Sequence, residues 1–212
     1  MRIVDISPPL TPRIAVWPGD VPFSRTITCA ISEGANLDLS SIATTVHVGA
    51  HTDAPSHYDG NGEGIGERPL DAYLGLCQVI RVWIGAGERL RPEHVTEPIR
   101  APRVLFHTGT FPDPERFNTD FASLSPELVH ELADQGVCLV GIDTPSIDLF
   151  DDKALLSHTA VAKRDLAILE GICLDDVKAG LYTLIALPLR LPGADASPVR
   201  AILIESSGGV PW

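Results

Sequence analysis

The sequence has no long apolar run, no excess of positive charge and no closely paired cysteines. Its longest apolar stretch, Leu181 to Leu191, is interrupted by Tyr182, Thr183, Pro188 and Arg190, well short of the ~20 apolar residues of a membrane-spanning helix. Met1-Arg2-Ile3-Val4-Asp5 meets charge at once and Pro8, Pro9 and Pro12 follow, which reads against a signal peptide. With 16 Lys+Arg against 28 Asp+Glu, a net charge of −12, nothing supplies a basic face for nucleic-acid phosphates or for anionic lipid. The partner expected is a small molecule, not a nucleic acid or a membrane. Cys29, Cys77, Cys138 and Cys173 form no C-x-x-C pair and sit among apolar neighbours, so they read as four buried, reduced thiols of a cytoplasmic protein. Gly-x-Ser-x-Gly is absent and no cysteine adjoins a histidine, so the common nucleophile motifs are missing. No internal repeat or linker divides the chain, and residues 1–212 read as one domain.

What is present in quantity is punctuation: 18 Gly and 18 Pro spread through the chain, which suits short strands and shaped loops better than a helical bundle. Strand-like runs recur at 27–31, 42–48, 77–84, 104–107, 137–142, 167–169, 181–189 and 199–204. Two segments read as helices. Ser125-Pro126-Glu127 offers an N-cap followed by Pro at the first helical position, Leu128, Val129 and Leu132 give an apolar face, and Gly136 gives a stop. The second helix spans about 153–163. The fold expected is α/β: a single compact domain with a mixed β-sheet or barrel-like core and few helices.

The most informative stretch is His47-Val48-Gly49-Ala50-His51-Thr52-Asp53-Ala54-Pro55-Ser56-His57, which holds three of the seven histidines. His47, His51, Asp53 and His57 all stand at odd positions, so a strand would show them on one face. In a straight strand, however, His47 and His51 would lie roughly 13 Å apart, too far to share a metal with bonds of about 2.0–2.2 Å. On a continuous helix Asp53 would point some 200° away from His51 at ~100° per residue. Gly49 permits a kink and Pro55 ends regular pairing. A strand kinked at Gly49 can gather two imidazoles and a carboxylate, a set that suits zinc, manganese or iron. Glu170, behind the apolar run Ala167-Ile168-Leu169, reads by itself equally as an exposed strand-end acid or as a buried carboxylate in need of a partner.

His47-x-Gly49-Ala50-His51-x-Asp53-x-Pro55-x-His57 resembles the H-x-G-[TA]-H-x-D-x-P-x-H signature of the cyclase-like metal-dependent hydrolases, and in particular their bacterial kynurenine-formamidase branch. The likeness runs along the whole chain. Ile3-Val4-Asp5-Ile6-Ser7 with Val16-Trp17-Pro18-Gly19-Asp20, then Gly141-Ile142-Asp143-Thr144-Pro145-Ser146-Ile147-Asp148, and finally Ser197-Pro198-Val199-Arg200-Ala201 resemble further blocks of that family. Ala50, where many relatives carry Thr, points within the family to the formamidase branch. The resemblance implies a swivelling β/β/α fold and two divalent ions, zinc or manganese, held by His47, His51, Asp53, His158 and Glu170. It makes His57 a proton-transferring histidine and Trp17 a wall for an aromatic substrate. The implied reaction is hydrolysis of N-formyl-L-kynurenine to L-kynurenine and formate by a homodimer. A cyclic amide such as isatin, an ester or a lactone is the alternative substrate; a mononuclear lyase or oxygenase and a non-catalytic metal-binding protein are the other readings. His94 and His130 stay on the surface, His107 ends a strand where it could line a site, and no role is assigned to His107, Asp143 or Asp148.

Overall fold

The computed structural model describes residues 1–205. Its elements, in order, are β1 (Arg2–Asp5), β2 (Ser24–Cys29), β3 (Leu39–Ala43), β4 (His51–Asp53), β5 (Leu74–Arg81), β6 (Arg89–Leu90), β7 (Arg103–His107), β8 (Ser123–Leu124), α1 (Pro126–Asp134), β9 (Leu139–Ile142), α2 (Leu156–Arg164), β10 (Ala167–Leu169), β11 (Gly180–Ile185), β12 (Ala196–Pro198) and β13 (Ile202–Glu205). Seven strands make one mixed sheet in the order β1-β13-β11-β5-β7-β9-β10. The β1, β13, β11 and β5 pairings are antiparallel and those from β5 through β7 and β9 to β10 are parallel. This is the mixed α/β architecture with few helices that the composition led us to expect.

The parallel half is buried on both faces, which explains its unbroken apolar runs. Neighbours in sequence go to opposite sides. Val79, Leu105, Leu139 and Leu169 pack in one core with Ile6, Tyr182 and Leu203. Ile80, Val104, Phe106, Val140 and Ile168 pack in the other against Leu128, Leu132 and Val161 of the two helices. Helix α1 begins as its sequence prescribes: the Ser125 hydroxyl accepts from the Leu128 N–H at 3.2 Å, with Pro126 at the first helical position. Such a cap stabilises a helix by about 1 kcal/mol. Among the described residues no helix is long and apolar enough to cross a membrane.

Several boundaries differ from the sequence reading. The second helix starts at Leu156, not 153, because Leu155 takes a left-handed conformation (φ 48°) just before it. The strand expected over 42–48 ends at Ala43, and 44–50 is irregular backbone. Cys77 is buried, but Cys29, Cys138 and Cys173 are partly exposed; all four are free.

Candidate metal centre

The parallel strands β7, β9 and β10 end at one edge of the sheet, and the residues just beyond them, Gly109, Asp143 and Glu170, line a common cavity of about 500 Å³. Ligand sites of parallel sheets gather at these carboxyl ends. The segment 44–57 is brought there by two backbone clamps. β4 pairs antiparallel with β12, setting Asp53 opposite Ala196 and His51 opposite Pro198. On its other side His51 exchanges both backbone hydrogen bonds with Glu170, at 3.1 and 2.9 Å. That bridge needs two glycines. Gly49 (φ 58°) and Gly171 (φ 64°) are left-handed, and a Cβ on Gly171 would overlap the carbonyl oxygen of Gly49. The kink expected at Gly49 is therefore present, but it precedes a three-residue strand instead of bending a long one.

The structure brings His47, His51, Asp53, His158 and Glu170 together although they span 124 positions of the chain (170 − 47 + 1). His158 arrives on the first turn of α2, which Asp148 caps by accepting from the Ser157 and His158 N–H groups at 2.9–3.0 Å. Facing atoms stand at close intervals: His47 Nδ1 to Asp53 Oδ1 3.0 Å, His51 Nε2 to Asp53 Oδ1 3.5 Å and to Glu170 Oε2 3.2 Å, His158 Nε2 to Asp53 Oδ2 3.4 Å and to Glu170 Oε1 3.7 Å. Donors around a tetrahedral ion with bonds of 2.0–2.2 Å are separated by about 3.3–3.6 Å, and the observed spacings bracket that interval.

The other nitrogen of each imidazole is engaged outside the cluster. His47 Nε2 faces Asp195 Oδ2 at 3.0 Å, His51 Nδ1 faces the Gly49 carbonyl at 2.9 Å, and His158 Nδ1 faces Asp148 Oδ2 at 2.8 Å. Carboxylates and carbonyls only accept, so each outer nitrogen carries the proton. In the neutral imidazoles the inner nitrogens then turn bare lone pairs towards carboxylate oxygens, which is repulsive unless a cation lies between. Asp53 Oδ1 shows the same need: it is buried, and even His47 Nδ1 at 3.0 Å is not aligned to donate to it. Outward N–H groups fixed on protein acceptors are the arrangement that orients metal-ligating histidines. Three nitrogens with two carboxylates suit zinc, manganese or iron, so the residues fit a divalent ion.

Charge in the cluster agrees. Burial alone would push the His47 and His158 pKa values down. Asp53, Asp195 and Glu170 outweigh it for His47, raising it to about 9, and Asp148, Asp53 and Glu170 raise His158 to about 10. His51 is likewise raised against its burial, by Glu170 and Asp53. Asp53, despite its burial, is held well below the usual carboxylate range by His158 and His47. Without metal, protons stand where cations belong. His57 differs: burial holds it below its ordinary value. It follows Pro55 in a single 3₁₀ turn and is half-exposed. One of its ring nitrogens lies within 4.8 Å of donor atoms of Asp53 and His158.

Trp17 lines the cavity, but one face is already stacked on Phe150 (5.0 Å, 29°) and its edge meets Phe117 (5.5 Å, 77°). It is part of an aromatic wall shared with Phe111 and Phe117. His107 is buried and stands 3.3 Å from Asp175 and 3.9 Å from Asp143, outside the cluster. Asp143 accepts from the N–H groups of Thr108 and Gly109 and from the Thr108 hydroxyl, which ties the ends of β7 and β9 together. Two neighbours of the centre escaped the sequence reading. Asp148 lay within a quoted block without a role, and Asp195 carried no local signal beyond its Pro-Gly loop.

Comparison with known proteins agrees with this picture. The putative cyclase family pattern matches residues 4–149. A solved potential metal-dependent hydrolase with cyclase activity is 27% identical, covering 97% of this chain and 98% of its own, with a TM-score of 0.83. A predicted metal-dependent hydrolase from Bacillus stearothermophilus is 26% identical over 95% and 97%, with a TM-score of 0.79. Isatin hydrolase A from Labrenzia aggregata, bound to benzyl benzoate, shares the fold at 23% identity over 97% and 94%, TM-score 0.79. Since the family pattern spans more than half of the sequence and includes His47, His51, Asp53 and His57, the chain belongs to the putative cyclase family.

Proposed function

We propose that the chain is a metal-dependent hydrolase that cleaves an aryl amide C–N bond, with N-formyl-L-kynurenine as substrate and L-kynurenine and formate as products. The observation that carries the reading is the convergence of three imidazole lone pairs on Asp53 and Glu170, each imidazole fixed by an acceptor behind it. His47, His51, Asp53, His158 and Glu170 would hold the metal, zinc or manganese, and two ions are proposed because Asp53 turns one oxygen to His47 and His51 and the other to His158. A divalent ion there supplies a water of near-neutral pKa and polarisation of the scissile carbonyl. The residues do the rest. Burial of Asp53 and Glu170 keeps their charge from being screened by solvent. The wall of Trp17, Phe111 and Phe117 takes the aryl ring edge-on or stacked. His57, beside the cluster yet facing the cavity, receives a proton and returns it to the departing aryl nitrogen. The family resemblance, with Ala50 in the signature, supports the formamide as substrate. We further propose action in the cytoplasm, in keeping with the four free cysteines.

One observation favours a second reading, hydrolysis of a neutral cyclic amide such as isatin. Among the described residues no Lys or Arg lines the cavity, whereas Asp20, Asp143 and Asp175 do, so the substrate carboxylate of formylkynurenine finds no cationic side chain. The test is kcat/KM for N-formyl-L-kynurenine, isatin and an aryl ester on one metal-loaded preparation. The formamide is expected to win. A tenfold advantage for isatin, about 1.4 kcal/mol of transition-state preference, would transfer the assignment to the cyclic amide.

A further inference from the structure

Asp195 faces two imidazoles at once. A single carboxylate oxygen, Oδ2, stands 3.0 Å from His47 Nε2 and 3.6 Å from His57 Nδ1. Among the described residues these are its only cationic-capable partners within 4 Å. The two rings lie side by side, centroids 4.3 Å apart and tilted by 45°. The carboxylate is placed there by backbone: the Ala54 N–H donates to the Asp195 carbonyl at 2.8 Å, one step beyond the Asp53–Ala196 pair of the β4–β12 ladder. Its position is thus set by the same strand that carries His51 and Asp53.

We infer that Asp195 is a positioning residue shared by the metal centre and the proton carrier. Resting on the metal reading above, the inference assigns it two effects. By accepting from His47 Nε2 it keeps the proton on the outer nitrogen and leaves Nδ1 bare towards Asp53. By standing 3.6 Å from His57 Nδ1 with the same oxygen, it favours the proton on that nitrogen and leaves His57 Nε2 as the nitrogen free to take a proton and give it back. A mobile or doubly protonated His57 could do neither reliably. No covalent step is assigned to Asp195, which does not line the cavity.

The variants that test this are Asp195→Ala and Asp195→Asn. Asparagine keeps a carbonyl oxygen where both N–H groups can donate, so it should rescue geometry without charge. Zinc affinity, measured by competition with a chelating dye, is expected to fall 10–100-fold in Asp195→Ala and to recover most of that loss in Asp195→Asn. Imidazole tautomers, read from long-range ¹H–¹⁵N correlation spectra of the zinc-free and zinc-loaded proteins, should show His57 protonated at Nδ1 in the wild type and in Asp195→Asn. In Asp195→Ala the proton should move to Nε2. In the loaded protein kcat should fall in Asp195→Ala with KM within about twofold, since the substrate wall is untouched. Either zinc affinity within twofold of wild type in Asp195→Ala or an unmoved His57 tautomer would overturn the inference. A wild type that takes up no zinc would instead overturn the metal reading, and the His57 tautomer of the zinc-free protein would still decide the role of Asp195.

Discussion

His57 is separated from the other histidines of the cluster by what its nitrogens meet. His47, His51 and His158 each have an acceptor behind and a carboxylate in front, whereas His57 has only the distant Asp195 contact and an open side towards the cavity. A substitution should expose that difference. His57→Ala is expected to retain its metal while kcat falls by about 10²–10⁴-fold, the usual worth of general acid–base help. Glu170→Ala should lose metal and activity together, because it removes an anion facing both His51 and His158. Elemental analysis of the two purified variants beside kcat decides. Metal loss in His57→Ala equal to that in Glu170→Ala would make His57 a ligand. The candidate site was legible in the sequence to this depth: clustered imidazoles, a flanking glycine and an acid stranded behind an apolar run. The acceptors behind the imidazoles were not legible. Asp148 lies ten residues before His158, outside any capping-box spacing, and Asp195 meets His47 across 148 positions only because β12 pairs with β4.

Elements show the same division. Buried parallel strands announced themselves, and 167–169 fell where expected, since only continuous apolar runs survive between two cores. The ribbon of β2 and β3 was placed less well because it has no core to impose a pattern. Every residue of β3 is exposed, and Ile27 (59%) and Ile42 (63%) share one face of the ribbon with Arg25 and Ser40. A two-stranded ribbon is marginal by itself in water, and the two exposed isoleucines beside Arg25 and Ser40 give it a mixed face that a partner could cover. We propose that it packs against a second copy in the expected homodimer. Ile27→Ser combined with Ile42→Ser should then shift the mass measured by light scattering from dimer to monomer without lowering the helix and strand signal in circular dichroism. A wild type that is monomeric at tens of micromolar would end that proposal.

At the scale of the whole molecule, the proposed metal would act as a cross-link between segments far apart in sequence: 47–53 beside β12, the start of α2, and the end of β10. Binding that favours only the folded state stabilises by about 2.7 kcal/mol when free ligand is a hundredfold above its dissociation constant. For a chain of this size that is about 5–11 °C in melting temperature. Removal of metal by chelation should lower Tm by that amount and readdition should restore it. A Tm indifferent to chelator would mean that the carboxylates and imidazoles hold one another without an ion. The bridge between His51 and Glu170, with Gly171 pressed against Gly49, also sets an order of events during synthesis. His47, His51 and Asp53 leave the ribosome long before Glu170 and Asp195 exist, so the nascent chain carries half a chelate on an unanchored segment. The proposed metal would therefore be captured only after the last third of the chain has been translated and docked. On that reading loading would complete folding, the reverse of a zinc finger, whose chain has no fold until the ion arrives.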